Sequence, residues 1–364
     1  MTLDDIALTL CTDPATVKHL IECFGSAEAV FAAGTEELAG RAGLRPDIAR
    51  LIASRPHHAQ AGEEMRYLER QGYKAVAATD EEYSPLLREC PDNPHVLYVN
   101  GATDVLRRPM LSVVGTRQVT SYGIQMCDRL IEGLAAQVPD LVIVSGLAFG
   151  IDVAAHRAAV RFGLATIGVL ATPVGRIYPS FHADIAREMV AKGGAVVSEA
   201  HSRSATAKHS FPQRNRIVAG MSMGTLVVES PSRSGSLITA DCALSYNRSV
   251  MAVPGRATDI ASAGCNFLIR TSRALSVCSA EDIVAELGLK GAEFSRRKSR
   301  PAVETEDLTP SQAEVMRLLI EDGPLADTEI MKLTGMDYQQ VCEALFVLEC
   351  AGAIRMGGGK FSAC

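Results

Sequence analysis

Between about positions 95 and 285, short apolar runs alternate with longer amphipathic stretches. The runs are Leu111–Val114, Leu141–Val144, Ala165–Leu170, Ala195–Val197, Leu226–Val228 and Val250–Val253. They are rich in β-branched side chains and show no apolar/polar alternation, the pattern of strands buried on both faces. The stretches between them, Tyr122–Ala136, Val153–Phe162, His182–Ala191 and Ser236–Tyr246, carry apolar residues at helical spacing. Strands alternating with helices predict an α/β fold with a parallel sheet and right-handed crossovers. In such sheets ligands bind beyond the carboxyl ends of the strands.

The flanks read differently. Residues 1–72 form a predicted domain of short helices. Within it Phe24–Ile52 is helical in period but broken by glycines, and Gly43-Leu44 resembles a helix-hairpin-helix turn. Such a turn can offer backbone N–H groups to a phosphate; the other reading is a small packing domain of the SAM type. The core spans 73–290. Residues 291–307 are polar, poor in apolar side chains and read as a linker. Residues 308–364 read as three helices, Gln312–Ile320, Ala326–Leu333 and Tyr338–Cys350, followed by a Gly-rich hairpin over Met356–Phe361. That order is winged-helix-like, with Asp327 and Asp337 placed as N-caps.

Charge changes the picture. The net formal charge is −6, but residues 105–275 hold 18 Lys+Arg against 10 Asp+Glu. A cationic middle lies between two acidic ends, and the local field attracts a polyanion. The ten cysteines form no C-x-x-C pair, which argues against a zinc ribbon or a redox motif. Scattered thiols in a chain of 364 residues suit a reducing, cytoplasmic setting. No run of about 18 apolar residues predicts a membrane span, and the first residues do not read as a signal peptide.

Three predicted strand ends lead into helices through Gly, Ser and Thr: Gly115-Thr116-Arg117, Ser145-Gly146-Leu147-Ala148, and Ser234-Gly235-Ser236. Backbone N–H groups and hydroxyls at such places suit phosphate oxygens; alternatively, the glycines only make tight turns. The stretch Lys208 to Gly220 joins cations to an aromatic. Residues 201–220 carry four Lys+Arg and no acid. Arg and Lys supply phosphate contacts, and Phe211 offers a face for base stacking. Asn215 can bond a base edge or a turn. In the alternative reading Arg214 and Arg216 pair with acids and Phe211 is core.

Little points to catalysis. There is no phosphate-binding G-x-x-x-x-G-K-[ST] loop and no dinucleotide fingerprint after a strand. Asp152 and His156 are four residues apart with Ser145 nearby, but no G-x-S-x-G elbow accompanies them. Asp152 is expected to cap its helix and His156 to hydrogen-bond within the core. No cluster has metal-ligand spacing, so no cofactor and no metal are expected.

Together these strings resemble the DNA-processing protein A (DprA/Smf) family. The resemblance is carried by Val114-Gly115-Thr116-Arg117, Ser145-Gly146-Leu147-Ala148, Gly150-Ile151-Asp152, Phe211-Pro212-Gln213-Arg214-Asn215-Arg216-Ile217, Ser234-Gly235-Ser236-Leu237-Ile238-Thr239-Ala240 and Ala252-Val253-Pro254-Gly255. It implies an extended Rossmann-like core that forms a homodimer, binds single-stranded DNA without catalysis, loads the RecA recombinase during natural transformation and displaces single-strand-binding protein. By motif it implies Arg117 and Lys208 on phosphates, Phe211 under a base, Arg214, Asn215 and Arg216 on the pocket wall, and Ser145 and Gly146 as small hydrogen-bonding contacts. One departure is the turn Ala171-Thr172-Pro173-Val174-Gly175-Arg176-Ile177, where the family usually has a Gly-rich turn and an Asp. Its proline removes an N–H, and Arg176 is expected to add charge instead.

An alternative class is a nucleotide-processing enzyme of the lysine-decarboxylase-like (phosphoribohydrolase) type. Its P-G-G-x-G-T-x-x-E string is absent; the comparable strand end reads Pro231-Ser232-Arg233-Ser234-Gly235-Ser236. The C-terminal residues 309–364 hold 4 Lys+Arg and 8 Asp+Glu, and Tyr338–Cys350 has no cation. A duplex-reading helix needs phosphate anchors, so this region is expected to contact protein.

Overall fold

The structure is a computed structural model that describes residues 1–289, 308–321, 323, 325–350, 354–357 and 360–363. The expected linker 291–307 lies outside the described residues. The chain divides into two compact units, residues 1–292 and 293–364.

The first unit opens with six helices: α1 (Leu3–Thr9), α2 (Pro14–Phe24), α3 (Ala27–Ala32), α4 (Thr35–Ala42), α5 (Pro46–Ala53) and α6 (His58–Gln71). The Thr2 hydroxyl caps α1, with the Asp5 carboxylate returning a bond to the cap, and the Asp13 carboxylate caps α2. The alternating region follows as β1 (Lys74–Ala77), α7 (Pro85–Glu89), β2 (Val96–Gly101), β3 (Met110–Val114), α8 (Ser121–Gln137), β4 (Val142–Ser145), α9 (Ile151–Phe162), β5 (Thr166–Val169), α10 (Ala183–Ala191), β6 (Ala195–Ser198), α11 (Ser210–Gly220), β7 (Gly224–Val227), α12 (Gly235–Ser245), β8 (Ser249–Ala252), α13 (Ala263–Arg270), β9 (Leu275–Ser276) and α14 (Ala280–Glu286).

All nine strands form one sheet in the order β1-β2-β6-β5-β4-β3-β7-β8-β9. From β6 through β9 every pairing is parallel, but β1 pairs β2 and β2 pairs β6 antiparallel. The expected parallel sheet is therefore corrected to a mixed, mostly parallel one. The connection from β1 to β2 contains only the short helix α7, and a strand that returns without a covering crossover runs antiparallel.

The central strands β3 to β7 are buried along their whole length. On one face, Leu130, Ile131 and Leu134 of α8, Ala155 and Ala159 of α9 and Ile283 of α14 pack on Leu111, Val113 and Ile143. On the other, Ile217 and Val218 of α11, Ala240 and Ala243 of α12 and Leu268 of α13 pack on Val114, Val144 and Val227. The six N-terminal helices bury Ile6, Leu8, Leu20, Leu38 and Ile52 together with Val96 and Tyr98 of β2. Polar contacts fasten that region to the sheet: Asp5 Oδ1 lies 2.7 Å from His95 Nε2, and the Met1 amine donates to Asp80 at 2.7 Å.

Chain order progresses outward from β3 to β6 on one side and from β7 to β9 on the other. The strand order thus reverses between β3 and β7. The carboxyl ends of the strands there form the crevice in which open α/β sheets take ligands.

In the second unit, α15 (Pro310–Glu321), α16 (Asp327–Thr334) and α17 (Tyr338–Cys350) precede the antiparallel strands β10 (Ile354–Gly357) and β11 (Lys360–Ala363). Asp337 caps α17 as expected, accepting from Gln340 N at 2.8 Å. Asp327 does not cap α16: it is the first helical residue, and Glu329 supplies the acceptor for Ala326 N at 2.8 Å. None of the helices among the described residues is long and apolar enough to cross a membrane.

Candidate nucleic-acid interface

A cleft of about 360 Å³ opens at the strand-order reversal. The turn after β3 (Gly115 to Gln118), the turn after β4 (Gly146 and Ala148), the segment after β7 (Pro231 and Arg233 to Ser236) and Arg214, Asn215 and Val218 of α11 line it. A smaller cavity of about 80 Å³ shares Arg117, Gly146, Ala148 and Arg214 with it and adds Phe149, Tyr178, Pro179 and Phe211.

Two turns are locked together at the base. The Ile151 N–H donates to Thr116 O at 3.1 Å, and Thr116 N–H to Glu229 O at 2.7 Å. Gly150 sits at φ 81°, and a Cβ there would come within 2.1 Å of Thr116 O. Only glycine permits that conformation and that approach.

The expectation that three helix N-termini would greet an anion needs revision. At α8, Thr120 caps the helix and is itself held by the buried Glu229, whose carboxylate accepts from Thr120 N at 2.8 Å and Thr120 Oγ1 at 2.6 Å. At α9, Gly150 is the N-cap, and Asp152 lies in the first turn rather than capping, its Oδ2 3.4 Å from Ala148 N. Two of the three helix ends therefore already carry a carboxylate, which the helix dipole favours. Only α12, capped by the Ser234 hydroxyl, is without one. The positive character of the cleft comes from side chains.

Arg117 is exposed at the rim and makes no ion pair or hydrogen bond among the described residues. The same holds for Arg233 across the cleft and for Lys208 on the loop before α11. Lys208 lines neither cavity. Phe211 is half-buried in the smaller cavity, its ring 5.5 Å from that of the exposed Tyr178 at 56°. Phe149 is exposed beside them, edge-on to His182 at 4.9 Å.

Arg214 is 6% exposed. Its Nη1 donates to Gly146 O at 2.6 Å and also to Val169 O, closing the carboxyl ends of β4 and β5, and its Nε donates to Asn215 Oδ1 at 3.2 Å. The guanidinium lies so close to Gly146 that a Cβ would sit 2.4 Å from Nη2. Burial lowers its pKa to about 10 against the pull of Asp152. Burial likewise raises the Asp152 carboxyl above its ordinary range, opposed by Arg214. Asn215 Nδ2 donates to Gly235 O at 3.2 Å and joins α11 to the start of α12.

Besides Lys208, two more of the expected contacts lie outside both cavities. Ser145 is wholly buried, and its Oγ donates to Val113 O at 2.6 Å inside the sheet. Arg216 lines neither cavity; Nη1 donates to Asp92 O at 2.6 Å and Nη2 pairs with Glu199. His156 is a buried core residue as expected, with Nδ1 2.7 Å from Thr166 Oγ1. Since Thr166 Oγ1 donates to Ile143 O at 2.8 Å, His156 carries its proton on Nδ1. Nε2 is left buried without a partner, and burial drives the His156 pKa down to about 3.

Reading the sequence missed Arg233, Tyr178 and Phe149 as lining residues. The available signal for Arg233 was a lone cation inside a Ser/Gly turn at a strand end. Arg176 was expected to add free charge, but it is a brace: Nη2 donates to Thr206 Oγ1 at 2.7 Å and Ser204 O at 3.3 Å. Thr172 Oγ1 in turn donates to Arg176 O at 2.6 Å, so the Thr172-Pro173 turn closes on itself. A second brace comes from α6. The buried Glu64 accepts from Ser202 N at 2.8 Å and from Ser202 Oγ, and Glu63 pairs with Arg203 at 2.7 Å. Both braces hold the loop that carries Lys208.

The fold and cleft define an α/β protein with a mixed, mostly parallel sheet and a cationic crevice at the strand ends. The model of the family "DNA recombination-mediator protein A" matches residues 74–288. The chain belongs to this DprA/Smf family of recombination mediators. It is 34% identical over 297 residues to protein Smf of Escherichia coli K12, covering 81% of this chain and 78% of that protein. The X-ray structure of DNA processing protein A from Streptococcus pneumoniae superposes with a TM-score of 0.67 at 33% identity, over 79% of this chain and 98% of that one. A structure of DNA processing protein A from Helicobacter pylori, solved to explain its single-stranded DNA binding mode, superposes with a TM-score of 0.52 at 28% identity, over 59% and 95%.

Proposed function

We propose that this chain binds single-stranded DNA across the carboxyl ends of β3, β4 and β7 and acts on it without catalysis. The observation that carries the reading is a set of free cations: Arg117 and Arg233 at the cleft, and Lys208 on the loop before α11, are exposed and unpaired among the described residues, and the Phe211–Tyr178 pair lines the adjoining cavity. Cations free to meet phosphates next to aromatic faces free to meet bases are what single-strand binding requires. Membership of the recombination-mediator family and the DNA-binding relative from H. pylori support it.

On the strength of the family, the bound strand would be handed as a homodimer to a RecA-type recombinase in place of single-strand-binding protein, the route by which incoming DNA recombines in natural transformation. The second unit would serve a protein partner. Its helix α17 has no Lys or Arg and exposes Tyr338 and Phe346.

The test is fluorescence anisotropy of a labelled mixed-sequence oligonucleotide, without nucleotide or metal, at several salt concentrations. Binding should weaken with salt at a slope of roughly 0.7 per phosphate neutralised. Arg117→Ala and Lys208→Ala should each flatten that slope. A folded wild type that binds no oligonucleotide at 50 mM salt would end this reading.

A further inference from the structure

The turn from Ala171 to Ile177, which departs from the family pattern, joins the smaller cavity to the N-terminal helices. Ala171 and Thr172 line that cavity. Three residues on, Gly175 lies against Tyr67 of α6: a Cβ at Gly175 would come within 2.5 Å of the Tyr67 hydroxyl oxygen. Thr172 and Gly175 are at most about 11 Å apart along the chain. The surface of α6 therefore starts within a turn's width of the cavity.

Around Tyr67 lies a strip of cations and aromatics. Tyr67 and Tyr73 are half-buried, with ring centroids 6.2 Å apart at 64°. Arg66 and Arg70 on α6, and Lys74 at the start of β1, are exposed and make no ion pair or hydrogen bond among the described residues. Between positions 65 and 75 these three cations meet one acid, Glu69. At 3.6 residues per turn, Arg66 and Arg70 lie within about 60° of Glu63 around the helix. Glu63 pairs with Arg203, so both cations share the side to which the Lys208 loop is fastened. The helix dipole accounts for a cation at Arg70, in the last turn of α6. It does not account for Arg66 a turn earlier, or for Lys74 beyond the helix. The Gly43-Leu44 turn has no such surplus: Arg41 pairs with Glu37 at 3.7 Å and Arg45 with Asp47 at 2.5 Å.

Resting on the proposed single-strand binding, we infer that a strand leaving the strand-end cavities continues over the Thr172–Arg176 turn onto α6. There Arg66, Arg70 and Lys74 meet its phosphates, and Tyr67 and Tyr73 offer a ring edge or face to a base. Charge and stacking of this kind favour no particular base. The N-terminal region is then a second contact for long single strands and is out of reach of short ones. Arg176, whose guanidinium is spent on Ser204 and Thr206, ties the crossing point to the Lys208 loop.

The experiment compares dT oligomers of about 6 and about 20 nucleotides on the full-length protein by anisotropy over a salt series. For the triple variant Arg66→Ala, Arg70→Ala, Lys74→Ala, binding of the long oligomer should weaken about tenfold and its salt slope should fall by roughly 2, at about 0.7 per phosphate contact. Binding of the short oligomer should not change. Glu69→Gln removes the acid in the strip and should act in the opposite sense, tightening the long oligomer about twofold and sparing the short one. An unchanged long-oligomer affinity in the triple variant, or equal losses at both lengths, would overturn the inference while leaving single-strand binding intact. Failure of the wild type to bind either oligomer would remove the proposed function itself, and this inference with it. Should the triple variant not fold, Glu69→Gln decides: no gain on the long oligomer overturns the inference.

Discussion

The floor and the rim of the cleft are built from the same kinds of residue in opposite conditions. On the floor Arg214 and Asp152 are buried and held by neighbouring groups, and one turn further along α9 His156 is buried in the core behind them. At the rim Arg117 and Arg233, and on the loop before α11 Lys208, are exposed and unpaired among the described residues. A buried cation pays desolvation and is retained for what it holds in place; an exposed one contributes little to folding and remains available to a ligand. Floor substitutions should therefore move stability first, and rim substitutions should move binding alone.

The largest expected effect is on the floor. Arg214→Met leaves Gly146 O, Val169 O and Asp152 uncompensated and should cost about 3–5 kcal/mol in urea unfolding. A loss under 1 kcal/mol would show the floor to be as dispensable to folding as the rim.

The core behind the floor should also titrate. The His156 pKa is lowered in the fold, to about 3, so between that value and the ordinary 6.5 the unfolded chain binds the extra proton. Stability from this group is present above pH 6.5 and is lost as pH falls. From pH 6.5 to 5 the loss is roughly 2 kcal/mol. Asp152, with its raised pKa, works the opposite way and is common to both proteins when wild type is compared with His156→Phe. The variant's stability should fall less on acidification by that amount; parallel pH profiles would refute the assignment.

Among the exposed cations, Arg117→Ala and Lys208→Ala should each weaken oligonucleotide binding about tenfold, about 1.4 kcal/mol, with the melting temperature unchanged. A shift in melting temperature of several degrees would mean that these cations have structural partners.

The smallest effect concerns the link between floor and rim. Glu64→Gln removes the charge that holds Ser202. It should loosen the Lys208 loop, seen as faster amide exchange over residues 200–209, and weaken binding by roughly threefold.

The same contrast explains what could be read from the sequence. Strands β3 to β8 were legible because burial on both faces leaves unbroken apolar runs. Strand β1 was not, since Lys74–Ala77 is a short edge strand whose partner, β2, defines it. Neither was β9, two exposed residues at the opposite edge. Among the exposed cations, Lys208 was legible as a residue type in an acid-free stretch. The role of Arg214 was not, because its partners are carbonyls 45 and 68 positions away in the chain; Arg216 pairs with the acid Glu199, as the alternative reading had it. Asp152 was misread as a cap because its position two residues into a helix differs from a cap only by the backbone angles of Gly150. Whether Glu229 occupied the end of α8 depended on a contact spanning 109 positions.

The braces on the Lys208 loop carry a consequence for genetics. A lesion at Glu63 or Glu64, or a truncation that removes the first 72 residues, strikes a region that lines neither cavity at the strand ends. It should nevertheless fall in the same phenotypic class as Lys208→Ala, and suppressors of such lesions should arise by stiffening the stretch between His201 and Ser210. Screens for alleles defective in oligonucleotide binding would then return clusters that are far apart on the gene map and converge on one loop.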